Sequence, residues 1–365
     1  MSNLGKYVNI KTGKLDANAS SPNGKYPFFT CSKEPLQISS YSYDCECVLV
    51  AGNGDLNVKY YNGKFDAYQR TYIIESKDKE ILDLRYLYFF IDSKMNFIRN
   101  QSIGGVIKYI KLGDLTSLKI PMFDIHKQLN IAATLDKANE LIALRKKQLE
   151  ELDALAESVF YELFGDPVKN EKGWKKGKIR DTIYSINYGT SSPAVLGGKY
   201  KYLRMNNITY SGYLDLTDLK YIDIRDKDKE KYLVKKNDLL FNRTNSKELV
   251  GKSAIYTKDE EMIIAGYIIR VRCNDSFNPR YVWGYLNCNH GKAYLKKICK
   301  NIVGMANINA KELQSIPLLL PPLELQNRFA TIIEKIEEQK AQVRKALKES
   351  EDLFQRLMQD LFHPS

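Results

Sequence analysis

The sequence predicts an α/β (α+β) protein in which one structural unit, a module of strands and helices followed by a long helix, occurs twice. Three observations predict this fold class: segments of the two halves repeat in the same order, each repeat closes on apolar residues spaced seven apart, and the 365 residues suffice for two or three separate cores. We expect the two modules to form a pseudo-twofold repeat, joined by two long helices that form an antiparallel coiled coil.

The repeat has a constant spacing at the end of each half. QLNIA at 128–132 matches QNRFA at 326–330, an offset of 198 residues (326 less 128) that holds without a gap to Leu163-Phe164 and Leu361-Phe362. Earlier in each half the offset drifts, as insertions in loops would cause. The upstream matches are Ser20–Pro22 with Ser191–Pro193, Gly24–Tyr26 with Gly198–Tyr200, and Tyr72–Ile74 with Tyr267–Ile269.

The repeated closing segments are predicted to be long helices. Apolar residues recur every seven positions in both, which keeps one seam of each helix facing a partner helix. The predicted seam residues are Leu135, Ile142, Leu149, Leu152, Val159 and Leu163 in the first helix, and Ile333, Ile336, Val343, Leu347, Phe354, Leu357 and Leu361 in the second.

Polar residues interrupt this apolar seam. Arg145, Lys340 and Ser350 occupy seam positions, and isolated polar seam residues can fix the register of a coiled coil. If a pseudo-twofold axis relates the two units, the helices lie antiparallel and the modules lie at opposite ends. The alternative is a pair of amphipathic helices, each packed on its own globular core.

These patterns divide the chain into five segments. They are a first module (1–119), a first helical segment (120–165), a linker (166–178), a second module (179–317) and a second helical segment (318–363). The linker is rich in Gly and Lys. Within the modules, β-branched and aromatic runs separated by turns predict strands mixed with a few helices. The runs are CVLVAG, RTYIIES and LRYLYFFI in the first module, and DLLFNRTN, SAIYT and AGYIIRVRC in the second.

The composition favours a polyanionic partner. Lys and Arg number 56 against 44 Asp and Glu, a net charge of +12. The N-terminus has no apolar signal region, and no stretch approaches the ~18 apolar residues of a membrane span. The six cysteines form no C-x-x-C pair and only three histidines are present, so we expect no metal site and a reducing, cytoplasmic setting.

Polar loops follow corresponding strands of the two modules and are the candidate nucleic-acid contacts. Arg243 suits the O6 and N7 atoms of guanine, Asn242 or Asn245 suits adenine, and lysines suit phosphates. The alternative is that both loops are ordinary polar turns. The candidates, chosen by residue type, are Asn53, Asn57, Lys59 and Tyr60 in the first module, and Asn242, Arg243, Thr244, Asn245, Ser246, Lys247 and Lys252 in the second.

The sequence predicts no catalytic or cofactor-binding residue. Asn278-Pro279-Arg280-Tyr281 differs by one letter from the Asn-Pro-Pro-Tyr of adenine methyltransferases, but the repeat matches it to Asp83-Leu84-Arg85-Tyr86. Shared Arg-Tyr indicates packing, and Asn-Pro indicates a turn that starts a strand or a helix. The glycine-rich AGNGD at 51–55 is short and is followed by YYNGKF rather than an amphipathic helix, and no P-loop is present.

The two helical segments carry a specific resemblance. IPMFDIHKQLNIAATLDKANELIALRKKQLEELDALAESVFYELFGDP and LLPPLELQNRFATIIEKIEEQKAQVRKALKESEDLFQRLMQDLF resemble the two conserved helical regions of Type I restriction–modification specificity (S) subunits. The second segment has the family's Pro321, Pro322 and Gln326. The first keeps Gln128 but has Phe123-Asp124 in place of Pro-Pro. The resemblance covers the whole chain, module, helix, module and helix.

The resemblance implies a non-catalytic subunit that recognises DNA. Each module would be a target recognition domain for one half of a bipartite, asymmetric double-stranded site, and the helices would set the gap between the halves. The helices would also dock two modification subunits, which bind S-adenosylmethionine and methylate adenine N6. Two restriction subunits, which use ATP and Mg²⁺, would complete the complex. No cofactor is expected on this chain.

Two other readings remain open at the level of sequence. A fused methyltransferase or nuclease would require an intact cofactor loop. A coiled-coil scaffold that binds only proteins would show no salt-dependent affinity for DNA, whereas phosphate contacts make affinity fall steeply as salt is added.

Overall fold

The computed structural model describes residues 1–101, 109–302 and 305–362, so the last residue of the predicted segment 318–363 lies outside the described residues. The chain forms two compact units. Unit 1 comprises Met1–Lys146 and Lys345–Ser365, and unit 2 comprises Lys147–Arg344. Each unit combines one module with parts of both long helices, so the predicted fold class, α/β modules repeated with two long helices, is confirmed.

Unit 1 begins with a mixed sheet. Its elements are β1 (Ser2–Asn3), β2 (Val8–Thr12), β3 (Tyr26–Phe29), β4 (Leu36–Ile38), β5 (Tyr43–Ala51), β6 (Val58–Ala67), β7 (Thr71–Ser76), α1 (Leu84–Gln101), α2 (Leu112–Thr116), β8 (Lys119–Ile120) and the start of α3 (Ile125–Phe164). The main sheet has the order β2-β7-β5-β6-β3-β4, antiparallel except for the parallel β3–β6 pair. β1 pairs with β8 just before α3 begins.

Unit 2 contains smaller sheets. Its elements are β9 (Lys175–Lys178), β10 (Ile183–Tyr188), β11 (Tyr200–Leu203), β12 (Lys220–Ile222), α4 (Asp226–Tyr232), β13 (Leu233–Val234), β14 (Leu239–Asn242), β15 (Thr244–Asn245), β16 (Ser253–Ile255), β17 (Met262–Ile264), β18 (Ile268–Cys273), α5 (Pro279–Asn287), α6 (Asn289–Ile298), β19 (Lys300–Ile302), β20 (Met305–Asn307), α7 (Ala310–Ser315), β21 (Pro317–Leu320) and the start of α8 (Leu323–Phe362). The strand orders are β10-β18-β14-β16, β12-β11-β17-β13, β15-β20-β19 and β21-β9.

Both long helices are 40 residues long, and they run antiparallel within unit 2. The Lys340 ammonium pairs with Asp153, and the Phe329 ring meets Phe160 and Phe164, so residue numbers fall along α8 as they rise along α3. α3 ends at Phe164, and Gly165 follows in the left-handed conformation (φ +78) that commonly closes a helix.

The predicted seam residues divide into buried and half-buried side chains. All of them except Leu149 and Leu347 pack in the hydrophobic core of their own unit. The buried ones are Leu135, Leu152, Leu163, Ile333, Ile336 and Phe354, and the half-buried ones are Ile142, Leu149, Val159, Val343, Leu347, Leu357 and Leu361.

The polar seam residues all have partners. In unit 1, Arg145 donates to the carbonyl of Ala346 and to the hydroxyl of Ser350. In unit 2, the Lys340 side chain is only 1% exposed and pairs with Asp153. A register shift between the helices would separate these groups and leave charges partly buried without partners, so the contacts favour a single register.

Polar contacts attach the first module to α3 and to the segment just before it. Gln128 of α3 accepts from the backbone N–H of Asp83 at 3.1 Å, and Arg85 donates through Nε to Asp136 of α3 at 2.8 Å. The Tyr86 hydroxyl donates to the carbonyl of Pro121 at 2.7 Å. The Asp83 carboxylate accepts from the N–H of Tyr86 at 2.7 Å and so starts α1.

The second module makes the same kinds of contact with α8 and with the strand before it. Gln326 accepts from the N–H of Asn278 at 2.9 Å, the Tyr281 hydroxyl donates to the carbonyl of Leu319 at 2.6 Å, and Arg280 forms a two-point ion pair with Glu337 at 2.9 Å. The Asn278 side chain caps α5, with proline at its first turn. The prediction that this tetrapeptide is a structural turn is confirmed, because its residues start a helix and bind α8.

Two predictions about secondary structure need correction. LRYLYFFI at 84–91 is not a strand but the first part of α1, since the apolar pattern continues beyond the run without Gly or Pro. Buried residues recur three and four apart along one face (Leu84, Leu87, Ile91, Met95 and Ile98), and Tyr86, Phe89 and Phe90 are buried as well. The linker 166–178 is also shorter than predicted, because its last four residues form β9 and pair with β21.

Gly284 allows α5 to pack closely on the long helices of unit 2. A Cβ at this position would lie 2.8 Å from the Phe160 ring and 2.9 Å from the Phe329 ring. Gly284→Ala is therefore expected to destabilise unit 2 by about 1–3 kcal/mol through overpacking, although alanine is the better helix former. Urea denaturation measures the change.

A glycine in open space provides the matched control for that substitution. Gly113 lies in α2, and a Cβ there would meet nothing within 4 Å. Gly113→Ala should leave the midpoint of denaturation unchanged or raise it slightly. Equal effects of the two substitutions would contradict the packing explanation.

Across the ranges that the structure describes, no helix is both long and apolar enough to cross a membrane. Within the same ranges, no three His, Cys, Asp or Glu side chains come together as a metal ion would require.

Candidate nucleic-acid interface

The candidate residues of the second module surround the point where β14 leaves its sheet and β15 begins. Arg243 lies between the two strands. Its N–H donates to the carbonyl of Tyr267 at 2.9 Å, and its carbonyl accepts from the N–H of Ile308 at 2.9 Å. The backbone of Arg243 is thus held between β18 and the segment that follows β20.

The Arg243 side chain is half-buried and stacks on an exposed tyrosine. Its guanidinium carbon lies 4.8 Å from the centre of the Tyr188 ring, and Nη2 donates weakly to the Asn307 amide oxygen at 3.4 Å. Nε is buried without a hydrogen-bond partner. Stacked arginines retain their in-plane donors, so this side chain can still bind an acceptor in front of it.

Two of the predicted DNA contacts, Asn242 and Thr244, have buried side chains. The Asn242 side chain is fully buried, and its oxygen accepts from the N–H of Thr244. Thr244 is 8% exposed, and its hydroxyl accepts from the Asn307 amide at 2.7 Å. Both side chains stabilise the loop from within, because β15 packs on β20 and covers them.

The remaining candidate side chains near this loop differ in their exposure and in their hydrogen bonds within the protein. The Asn245 side chain accepts from the N–H of Ser246 at 2.9 Å, and both residues are half-buried. Lys247 is exposed, as a phosphate contact requires. Lys252 is half-buried and donates to the carbonyl of Met205 at 3.0 Å, and burial lowers the pKa of its ammonium. Lys252 therefore supports the fold in this conformation.

The candidates of the first module lie along the start of β6 and the loop before it. Asn57 donates to the carbonyl of Cys31 at 2.8 Å and accepts from Lys59, and burial lowers the pKa of the Lys59 ammonium. Tyr60 faces a different environment: its hydroxyl donates to Glu46 at 2.8 Å, and burial with this hydrogen bond raises its pKa to about 12. Asn53 is half-buried and forms an isolated bridge with Tyr109.

Asn57 and Lys59 line an open cleft of about 590 Å³ in unit 1. The cleft also contains Lys33 and Arg99, and Asp92 is its acidic residue. Burial raises the pKa of the Asp92 carboxyl. Three basic side chains and two asparagines around one cleft are suited to an anionic ligand such as the nucleic-acid backbone.

Tyr188, Asn307, Lys33 and Arg99 were not among the sequence candidates. Tyr188 and Asn307 are brought to Arg243 by pairing: Tyr188 and Phe241 both pair with Ile269 of β18, and Thr244 pairs with Asn307. No local motif marks either residue, and the large number of tyrosines, 25, gave no reason to select one.

Comparison with known proteins finds two matched stretches, one in each half of the chain. The family model described as the Type I restriction modification DNA specificity domain matches residues 1–154 and 171–350. The specificity subunit of the type I restriction enzyme EcoDI of Escherichia coli is 39% identical over 149 residues, which are 41% of this chain and 33% of that protein. The chain thus matches about a third of the length of that relative.

Two solved structures share the fold of the whole chain. The S subunit of a Type I restriction–modification system from M. genitalium superposes with a TM-score of 0.65 at 17% identity, covering 100% of this chain and 96% of that one. A chain solved in work on complex assembly and conformational transition of the type I R-M system gives a TM-score of 0.58 at 17% identity, covering 100% and 97%.

Proposed function

The chain belongs to the Type I restriction–modification specificity (S) subunits, and from that premise we propose that it recognises a bipartite site on double-stranded DNA without catalysing a reaction. Each module is a target recognition domain for one half-site. The observation that carries the proposal is the repeated attachment: Gln128 and Gln326 bind the start of α1 and α5 through the same kind of hydrogen bond. Two modules attached alike to paired helices suit two half-sites at a fixed separation.

The long helices have a second role in the proposal, as the element that sets the gap between half-sites. Both contain 40 residues, and Arg145, Ser350, Lys340 and Asp153 favour one register. A fixed register fixes the length of the pair, and the separation of two DNA-binding elements sets the spacing of their half-sites.

The same helices dock the partner subunits in the proposed complex. Two modification subunits carry S-adenosylmethionine and methylate adenine N6, and two restriction subunits use ATP and Mg²⁺. The family membership and the shared fold with a chain from a type I R-M assembly support these partners. The base to be methylated is flipped into the pocket of the modification subunit, so this chain needs no methyl-transfer site.

Salt dependence of DNA affinity separates this proposal from a protein-only scaffold. We expect the chain with its modification partner to bind duplex DNA containing its site, and to lose about 10³-fold in affinity or more between 50 and 200 mM salt, as 6–10 phosphate contacts would cause. Fluorescence anisotropy with a labelled duplex measures this slope. No DNA binding, or binding insensitive to salt, would contradict the proposal.

A control experiment addresses the fused-enzyme alternative. The chain alone is incubated with DNA and S-adenosylmethionine, and methyl transfer is compared with that of the chain plus its modification partner. Transfer is expected only in the presence of the partner. Transfer by the chain alone would assign it a methyltransferase site.

A further inference from the structure

We propose that Tyr188 and Asn307 are positioning residues that present the Arg243 guanidinium to a guanine in the half-site of the second module. This inference rests on the proposed DNA-recognition function and deepens it. It names one base, the side chain that recognises it and the two residues that hold that side chain in place.

Two hydrogen bonds hold the backbone of Arg243 in place. Its N–H and its carbonyl both take part in hydrogen bonds of 2.9 Å, to Tyr267 and from Ile308. Arg243 therefore starts from a fixed Cα, unlike a residue at the tip of a surface loop. Residues that recognise bases need such support, because small displacements of the side chain break two-point hydrogen bonds.

The side chain of Tyr188 is also held in a fixed position. Its backbone pairs with Ile269 in the sheet, and its hydroxyl accepts from the N–H of Ala310 at 2.8 Å, so both ends of the side chain are held. Its ring carries the Arg243 guanidinium at 4.8 Å. Stacking of this kind restricts the plane of the guanidinium and adds a cation–π attraction.

The Arg243 guanidinium keeps hydrogen-bond donors that the described residues do not use. Nε is buried, and Nη2 has one long hydrogen bond of 3.4 Å to Asn307. Nη1 makes no hydrogen bond within the described part of the chain and is not buried. The Asn307 amide group is itself held, because its nitrogen donates to Thr244 at 2.7 Å. The terminal nitrogens thus keep donors that have no partner in the described part of the chain.

Guanine is the base whose major-groove edge matches these donors. Guanine presents two acceptors, O6 and N7, in the major groove, which match two arginine donors. Adenine and cytosine present an amino group on that edge, and thymine offers one acceptor beside a methyl group. A phosphate would also accept from arginine, but the exposed Lys247 nearby in sequence already suits that contact and needs no oriented fork.

The test uses the full chain assembled with its modification subunits and a pool of duplex DNA with randomised bases. Bound duplexes are sequenced for the wild type and for Arg243→Ala, Arg243→Lys, Tyr188→Ala and Tyr188→Phe. The wild type is expected to select guanine at one position of a half-site. Arg243→Ala, Arg243→Lys and Tyr188→Ala should each reduce this preference about tenfold or more, while other positions stay unchanged.

The conservative variant and a matched control isolate the role of the ring. Tyr188→Phe keeps the stacking face and should keep the preference for guanine. Tyr184, on the same strand and 68% exposed, makes no contact with Arg243 in the described part of the chain, so Tyr184→Ala should leave selection unchanged. If Tyr188→Ala does not fold, Tyr188→Leu retains apolar bulk without the ring face and should lose the preference in the same way.

Three results would overturn the assignment. Tyr188→Ala with an undiminished preference for guanine would remove the positioning role. Equal weakening of all sequences by Arg243→Ala would make Arg243 a phosphate contact. Selection of no sequence by the wild-type complex would overturn the proposed function itself, which the first two results leave intact.

Discussion

Asp153→Asn is expected to destabilise unit 2 by about 2–3 kcal/mol, one of the two largest effects anticipated here. The Lys340 ammonium, 1% exposed, pairs with Asp153 and lies 3.7 Å from the centre of the Tyr213 ring. Removing one partner of a fully buried pair costs about 3–5 kcal/mol. The lower value is expected because Asp153 is 40% exposed and partly screened by solvent. Urea denaturation at pH 7 measures the loss.

The pH dependence of this loss has a defined sign. Burial lowers the pKa of Lys340, so between the lowered pKa and the ordinary one the unfolded chain binds more protons than the folded chain. Stability therefore rises with pH through that window. Asp153→Asn removes the carboxylate that favours the ammonium and extends the window to lower pH. The deficit of the variant should shrink as pH rises towards the ordinary pKa of lysine.

Two further variants complete this test. Adding Lys340→Met to Asp153→Asn removes the unpaired buried charge and should recover most of the lost stability. Glu351→Gln breaks the exposed Lys146–Glu351 pair on the same helices and should change stability by less than about 1 kcal/mol. If Asp153→Asn behaved like Glu351→Gln, Lys340 would be solvated and would not hold the register.

A heptad inserted into both long helices is expected to abolish methylation at the original site and leave the half-site sequences unchanged. Insertion after Lys146 in α3 and after Arg344 in α8 keeps the contacts of Arg145 with Ser350 and of Lys340 with Asp153. It lengthens the pair by about 10 Å, or about 3 base pairs of DNA. Sites that remain methylated should contain the same half-sites with a different gap, which sequencing of modified bases reads directly.

Insertion into α3 alone is the matched comparison. One lengthened helix cannot satisfy both polar contacts at once, because Arg145 and Asp153 move apart along α3 while Ser350 and Lys340 keep their spacing on α8. This variant should therefore lose stability or assembly, which size-exclusion chromatography with the modification partner would show. Full assembly of the single insertion would contradict a fixed register.

The sequence predicted the order of the modules and long helices, because repeats and heptads can be recognised from the spacing of residues alone. The offset of 198 residues placed Gln128 and Gln326 in corresponding positions, and both bind the start of a module helix. The repeat also identified Asn278 as a turn residue, and it caps α5. These predictions needed no knowledge of which distant residues meet.

Other features depended on long-range pairing and could not be predicted. The run LRYLYFFI is buried on most sides, so its apolar pattern fits a strand as well as a helix. Asn242 resembles a surface contact in sequence but is covered by its own loop. Tyr188 and Asn307 reach Arg243 only through sheet register, which residue type does not indicate.

The central claim is that two modules on one helix pair recognise two half-sites at a set distance. Sequencing of modified bases in DNA from cells carrying this chain with its modification partner tests it most directly. We expect methylated adenines in two distinct half-sites separated by a gap of constant length and variable sequence. Methylation at one continuous site, or half-sites at variable separations, would contradict it.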